Sequence, residues 1–136
     1  MRHNFPAIEA LEASNLTAAA LADVAPAVDP ERLLVREARP WFEWIVLRNS
    51  SAIALPYVIY LRSGVYTRPR QELTRLVIHE LIHVNQWREE GYVHFAARYL
   101  ADYLRGRLRG GSHSQAYHAI RYEIEAREIA ASLVPG

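Results

Sequence analysis

Residues 73–87 read Leu73-Thr74-Arg75-Leu76-Val77-Ile78-His79-Glu80-Leu81-Ile82-His83-Val84-Asn85-Gln86-Trp87. Leu73, Val77, Leu81 and Val84 recur at helical spacing and, with Ile78 and Ile82, give an apolar surface suited to a helix packed centrally in the molecule. His79 and His83 stand one helical turn apart, so both imidazoles project from the same face and can share one cation. Glu80 lies about 100° around the helix from His79, beside that cation yet off the ligand stripe, where its carboxylate is free to act on water. A deeply buried helix should not carry two histidines and a glutamate without partners, because desolvated polar groups are costly unless paired.

Working outward, three helices are expected in this half, from about Pro69 to Glu90, Val93 to Leu108 and Ser114 to Leu133. Gly91 separates the first two, and Gly106, Gly110 and Gly111 precede the third. Ser112 followed by Gln115 has the form of a capping box for the last helix. Upstream the character changes to β-branched and aromatic residues. Trp44-Ile45-Val46-Leu47 and Tyr57-Val58-Ile59-Tyr60-Leu61 read as strands, with Asn49-Ser50-Ser51 as the turn between them. Pro56 places the start of the second strand at an edge or bend.

Towards the N-terminus, Ile8, Leu11, Leu16 and Leu21 predict a helix over about Ala7 to Leu21, and Asp29-Pro30 caps a short helix through Arg36. The pattern predicts a mainly helical α+β fold in one domain spanning 1–136. Residues 1–40 form an N-terminal helical segment, 41–68 carry the strands, and 69–133 carry the three helices. A small antiparallel sheet or hairpin should pack beside the histidine-bearing helix.

Composition removes several classes of function. The chain has 136 residues, 51% of them apolar, and no cysteine. Disulfides, thiolate zinc sites and cysteine nucleophiles are therefore excluded, and any metal must use His, Asp or Glu. The net charge of +1 comes with no long basic block, so no nucleic-acid partner is expected. No secretory signal and no run of transmembrane length is visible, so no membrane partner is expected either. The chain is expected in the cytoplasm or exported by a route that needs no signal peptide.

A catalytic zinc usually takes three protein ligands and leaves one position open. The last helix offers Glu123, Glu125 and Glu128. Ala116, Ala119, Glu123, Ala126 and Ala130 form a row of small residues around one carboxylate, which lets a second helix approach closely. Glu125 shares its face with His118, Arg121, Tyr122 and Glu128, the composition of a solvated surface. Glu123 is the expected third ligand.

The sequence His79-Glu80-x-x-His83, followed one helix pair later by Glu123-Ile124-Glu125-Ala126, resembles the gluzincins, the thermolysin-like branch of zinc peptidases. With Gln86, Tyr117 and Tyr122 it is also similar to minigluzincins and to the small peptidase-like domains associated with contractile injection systems. The resemblance runs from Tyr57 to Ala131. It implies a zincin-like fold, one Zn2+ held by His79, His83 and Glu123, and Glu80 as general base on a peptide or protein substrate. It also implies an oxyanion donor from the C-terminal helices, where Tyr117, His118 and Tyr122 are available and Tyr122 adjoins the ligand.

One departure stands out. Arg127 occupies the position, four residues after the ligand glutamate, where gluzincins commonly place an acid that orients the first histidine, so another group must accept that imidazole N–H. The metzincin branch is excluded, since Glu89 stands where its third histidine belongs and Gln86 where its glycine does. Gln86 is expected behind the ligands, Trp41, Trp44 and Trp87 in packing, and His3, His94 and His113 at the surface or in caps. An edge strand of the hairpin could pair with an extended peptide beside the metal. Two other readings stand beside the peptidase: a zinc-binding interaction or effector domain of a larger secreted or phage-like assembly, and a partner-docking role for the first 40 residues.

Overall fold

The computed structural model describes residues 4–11, 16, 18–45, 47 and 50–134. His3, Val46 and Asn49 lie outside them. The chain is a mainly helical α+β protein with one small mixed sheet. The order of elements is β1 (Asn4–Pro6), α1 (Ala7–Leu11), α2 (Ala18–Val24), β2 (Leu34–Glu37), α3 (Pro40–Ile45), β3 (Ala52–Leu55) and β4 (Val58–Leu61). Then follow α4 (Arg70–Glu90), α5 (Tyr92–Leu108), α6 (His113–His118) and α7 (Arg121–Leu133).

The sheet runs in the order β1-β2-β4-β3, with β2 and β4 parallel and both outer pairs antiparallel. The expected antiparallel hairpin is present as β3–β4, whereas the β2–β4 pair makes the sheet mixed. Two parallel neighbours need a crossover between them, and α3 and β3 supply it. Val35, Ile59 and Leu61 are completely buried, and together with Val77, Ile78, Leu81 and Ile82 of α4 they form one core. That core includes Ala7, Leu11 and Leu33, so the N-terminal segment is built into the molecule. Its ties to α4 are polar as well: Thr74 donates its hydroxyl hydrogen to the Ala10 carbonyl at 2.8 Å, and Asn85 Oδ1 accepts from the Ala27 N–H at 2.8 Å.

Three expectations are corrected here. The segment expected to be helical through Arg36 turns instead at Asp29, whose carboxylate accepts from the Glu31 N–H, and continues into β2. An Asp-Pro pair serves an Asx turn as well as a helix cap. Second, Trp44 and Ile45 belong to α3 rather than to a strand. Pro40 occupies its first position, where a missing N–H costs nothing, and Glu43 anchors it by accepting from Ser63 and Arg62. The hairpin consequently runs from Ala52 to Leu61 and turns at Pro56-Tyr57, not at 49–51. Third, the last helix breaks between Ala119 and Ile120, because Ile120 leaves helical geometry to pack, fully buried, in a second cluster with Phe95 and Tyr122.

The helices at 70–90 and 92–108 lie where the periodicity put them. Gly91 joins them at φ 86°, a left-handed conformation that side chains rarely adopt. The Ser112/Gln115 capping box opens α6 as expected. Among the described residues, no helix is long and apolar enough to cross a membrane.

Candidate metal and catalytic site

Helices α4 and α7 pack against each other along their buried faces and bring His79, His83 and Glu123 together. His79 Nε2 lies 3.0 Å from Glu123 Oε1, His83 Nε2 lies 3.1 Å from the same oxygen, and the two ring nitrogens are 3.2 Å apart. Ala126 and Ala130, buried one and two turns beyond Glu123, give α7 the small face that permits this approach. Ala119, expected in the same row, is exposed because the helix break displaces it. Glu125 is exposed as well, so of the two carboxylates only Glu123 joins the histidines.

Gln86 fixes the protonation pattern. Its amide N–H donates to the Tyr122 carbonyl at 3.1 Å, which turns its oxygen towards His83 Nδ1 at 2.7 Å. An amide oxygen only accepts, so this network assigns the ring hydrogen to Nδ1. In the neutral ring the Nε2 lone pair then faces the Glu123 oxygen and the His79 nitrogen. Converging acceptors repel unless a positive charge sits among them, either a proton or a metal ion.

A proton on His83 is one such charge. Burial opposes it, yet the Glu123 carboxylate beside the ring holds the His83 imidazolium up to about 8. Glu123 is likewise desolvated, yet the His79 and His83 rings and the Tyr99 hydroxyl hold its carboxyl well below the usual range. A tetrahedral zinc ion with ligands at 2.0–2.2 Å separates its donor atoms by roughly 3.3–3.5 Å. The triangle of 3.0–3.2 Å edges is close to that spacing, and two imidazoles with a carboxylate suit zinc chemically. His79, His83 and Glu123 could hold such an ion.

Glu80 is buried beside this group at 7% exposure, and burial pushes its carboxyl above the ordinary range, with only partial opposition from the two histidines. It lines two adjoining cavities beside the cluster, which also share Ser50, Ala52 and Tyr117. One, of about 300 Å³, is bounded by Leu47, Ile53, Leu55, Trp87, Phe95 and Tyr99 among others, and is largely apolar. The other, of about 440 Å³, is bounded by Arg68, Glu72, Arg75, His79 and His113 among others, and mixes charged and apolar lining. Strand β3 borders the first cavity as the free edge of the sheet. The Arg62 N–H donates to the Ser51 carbonyl, and antiparallel pairs alternate, so the backbone groups of Ala52 and Ala54 face away from β4. The Trp87 indole N–H reaches the Ala54 carbonyl at 2.9 Å from that side.

The two tyrosines expected as oxyanion donors separate. Tyr117 lines both cavities, and its hydroxyl is pushed up first by burial and then by the charges of Glu123 and Glu80. Tyr122 does not line them. Its ring stacks on Phe95 at 4.6 Å and its buried hydroxyl has no hydrogen-bond partner among the described residues. Its position beside Glu123 in sequence points it about 100° away around the helix. The candidate His118 is exposed, and its carbonyl accepts from Arg127 at 3.3 Å. Arg127 is thus at the surface, and among the described residues no group accepts from His79 Nδ1.

Sequence reasoning missed Tyr99, whose hydroxyl donates to Glu123 Oε2 at 2.6 Å. Its signal was its place one turn after Phe95 on the inward face of α5, a row that reads as core alone. His94 pairs with Glu90 at 3.3 Å on the surface, and His113 opens α6, exposed, with its Nδ1 2.9 Å from the Tyr103 hydroxyl. Trp87 packs on Phe95, as expected of it, whereas Trp41 and Trp44 are largely exposed. Comparison of the chain with protein families, with curated proteins and with solved structures found no match.

Proposed function

We propose that the chain is a zinc-dependent peptidase-like domain, with His79, His83 and Glu123 as metal ligands and Glu80 as general base. The observation that carries this reading is the convergence of three buried or half-buried acceptors on one point, beside a carboxylate raised by burial. Zinc at that point would supply Lewis acidity, polarising a carbonyl and acidifying a water.

The chain's own groups then divide the work. Glu80, with an elevated pKa and a place in the lining of both cavities, takes the proton from the attacking water and delivers it to the leaving amine. Tyr117 donates a hydrogen bond to the oxyanion as it develops. Tyr99 occupies the second Glu123 oxygen, leaving Oε1 for the metal. An extended peptide laid along β3 would find the outward N–H and C=O of Ala52 and the N–H of Ala54. Its side chains would enter the apolar cavity and the adjoining one lined by charged residues.

The lack of an acceptor for His79 Nδ1 among the described residues favours a second reading, in which the domain binds zinc for recognition within a larger assembly and cleaves nothing. Digestion of a quenched-fluorescent peptide library separates the two. The peptidase reading expects cleavage by the zinc-loaded chain and loss of at least about a hundredfold in rate for Glu80→Gln with zinc retained. No cleavage of any member by the fully zinc-loaded wild type would refute it.

A further inference from the structure

Helix α5 has a buried side and, opposite it, an exposed apolar one. Phe95 and Asp102 face inward. On the reverse, Val93, Leu100, Leu104 and Leu108 are 84, 56, 49 and 88% exposed, and the exposed Ala97 and Ala101 lie between them. At 100° per residue these six fall within an arc of about 100° centred opposite the buried face. Their spacing follows the seam of a helix that pairs with another helix.

We propose that this face joins two copies of the chain in an antiparallel twofold dimer through α5. The side chains are self-complementary in that arrangement. One register sets Val93 of each copy against Leu108 of the other, Ala97 against Leu104, and Leu100 against Ala101, so a small residue meets a large one at the middle of the seam. The charges agree with it. Glu90, which pairs with His94, sits at the N-terminal end, and Arg109 caps the C-terminal end, so reversal brings unlike charges together at both ends. The antiparallel helix dipoles are aligned favourably too. Arg98 of one copy comes near Arg105 of the other, whose guanidinium is already engaged by Asp102 at 3.1 Å. A parallel pair would set the arginines of the C-terminal end against each other. The inference is independent of any metal, since the stripe lies on the side of α5 away from Glu123.

The chain has no cysteine, so single introduced cysteines report the register directly. Under mild oxidation Leu100→Cys should form a covalent dimer with itself. Val93→Cys should not, because antiparallel copies hold these positions roughly 22 Å apart. A mixture of Val93→Cys and Leu108→Cys should cross-link. By sedimentation, the wild type should dimerise reversibly at concentrations up to roughly 100 µM, and Leu104→Glu should raise the dissociation constant at least about tenfold. A wild type that stays monomeric over that range, or Val93→Cys linking to itself as readily as Leu100→Cys, would overturn the proposal. Variants that retain wild-type circular dichroism exclude misfolding as the cause.

Discussion

Replacing Gln86 by Leu probes how the buried network prepares the site, because Gln86 touches no candidate substrate position. It is 4% exposed and makes two bonds, accepting from His83 Nδ1 at 2.7 Å and donating to the Tyr122 carbonyl at 3.1 Å. Leucine keeps the bulk and removes both. His83 Nδ1–H is then a buried donor without a partner, and the ring can take the other tautomer, whose Nε2–H points at the metal position. Loss of a group that orients a metal-binding histidine costs about 10–100-fold in affinity, or about 1.4–2.7 kcal/mol. The metal-free fold should lose about 1–3 kcal/mol for the unsatisfied groups. Gln86→Glu separates the two effects, since a carboxylate still accepts from Nδ1 but cannot donate to Tyr122; it should hold zinc more tightly than the leucine variant. Zinc affinity is read by competition with a fluorescent chelator, and stability by urea unfolding with a chelator present. If folded Gln86→Leu bound zinc within about twofold of wild type, orientation by Gln86 would play no part in metal affinity.

In metal-free protein the His83 pKa is raised from 6.5 to about 8, so its stabilising contribution is complete below about 6.5 and lost as the pH rises through about 8. That contribution amounts to at most about 2 kcal/mol. Glu123 acts with the opposite sign, its contribution being present above its unfolded value near 4.5 and lost on acidification. Melting in chelator should therefore occur at a lower temperature at pH 9 than at pH 6, whereas zinc affinity, which needs the ring deprotonated, should rise over the same interval; the two trends moving together would contradict the assignment. Gly106→Ala should destabilise although alanine favours a helix interior by about 1 kcal/mol. A Cβ there would stand 2.9 Å from the Ala116 Cα, and overpacking of this kind costs about 1–3 kcal/mol. A urea midpoint higher than wild type would show that α5 and α6 part without cost.

The long helices were legible in the sequence because several turns of apolar periodicity outweigh any local ambiguity, as in α4, and because the Ser112/Gln115 box states its own geometry. The histidine pair follows from the helix alone. The strands were harder to read, since four-residue segments carry too few alternations to set a period. Trp44 and Ile45 favour a strand by propensity, yet Glu43 ties their segment to Ser63 in helical form. Leu34–Glu37 becomes a strand because β1 and β4 flank it with backbone donors and acceptors, a tertiary fact with no local signal. At the site, the row of alanines pointed to Glu123 through packing. The choice between tyrosines could not be read the same way: Tyr122 neighbours the ligand in sequence but faces Phe95, whereas Tyr99 reaches Glu123 from a different helix.

The proposed function requires that His79, His83 and Glu123 hold one metal ion. Elemental analysis of the purified chain beside a folded Glu123→Ala variant tests it without reference to any substrate. Wild type should carry about one zinc per chain and the variant should lose most of it; a wild type without metal after zinc loading and desalting, or a variant with undiminished zinc, would contradict the account.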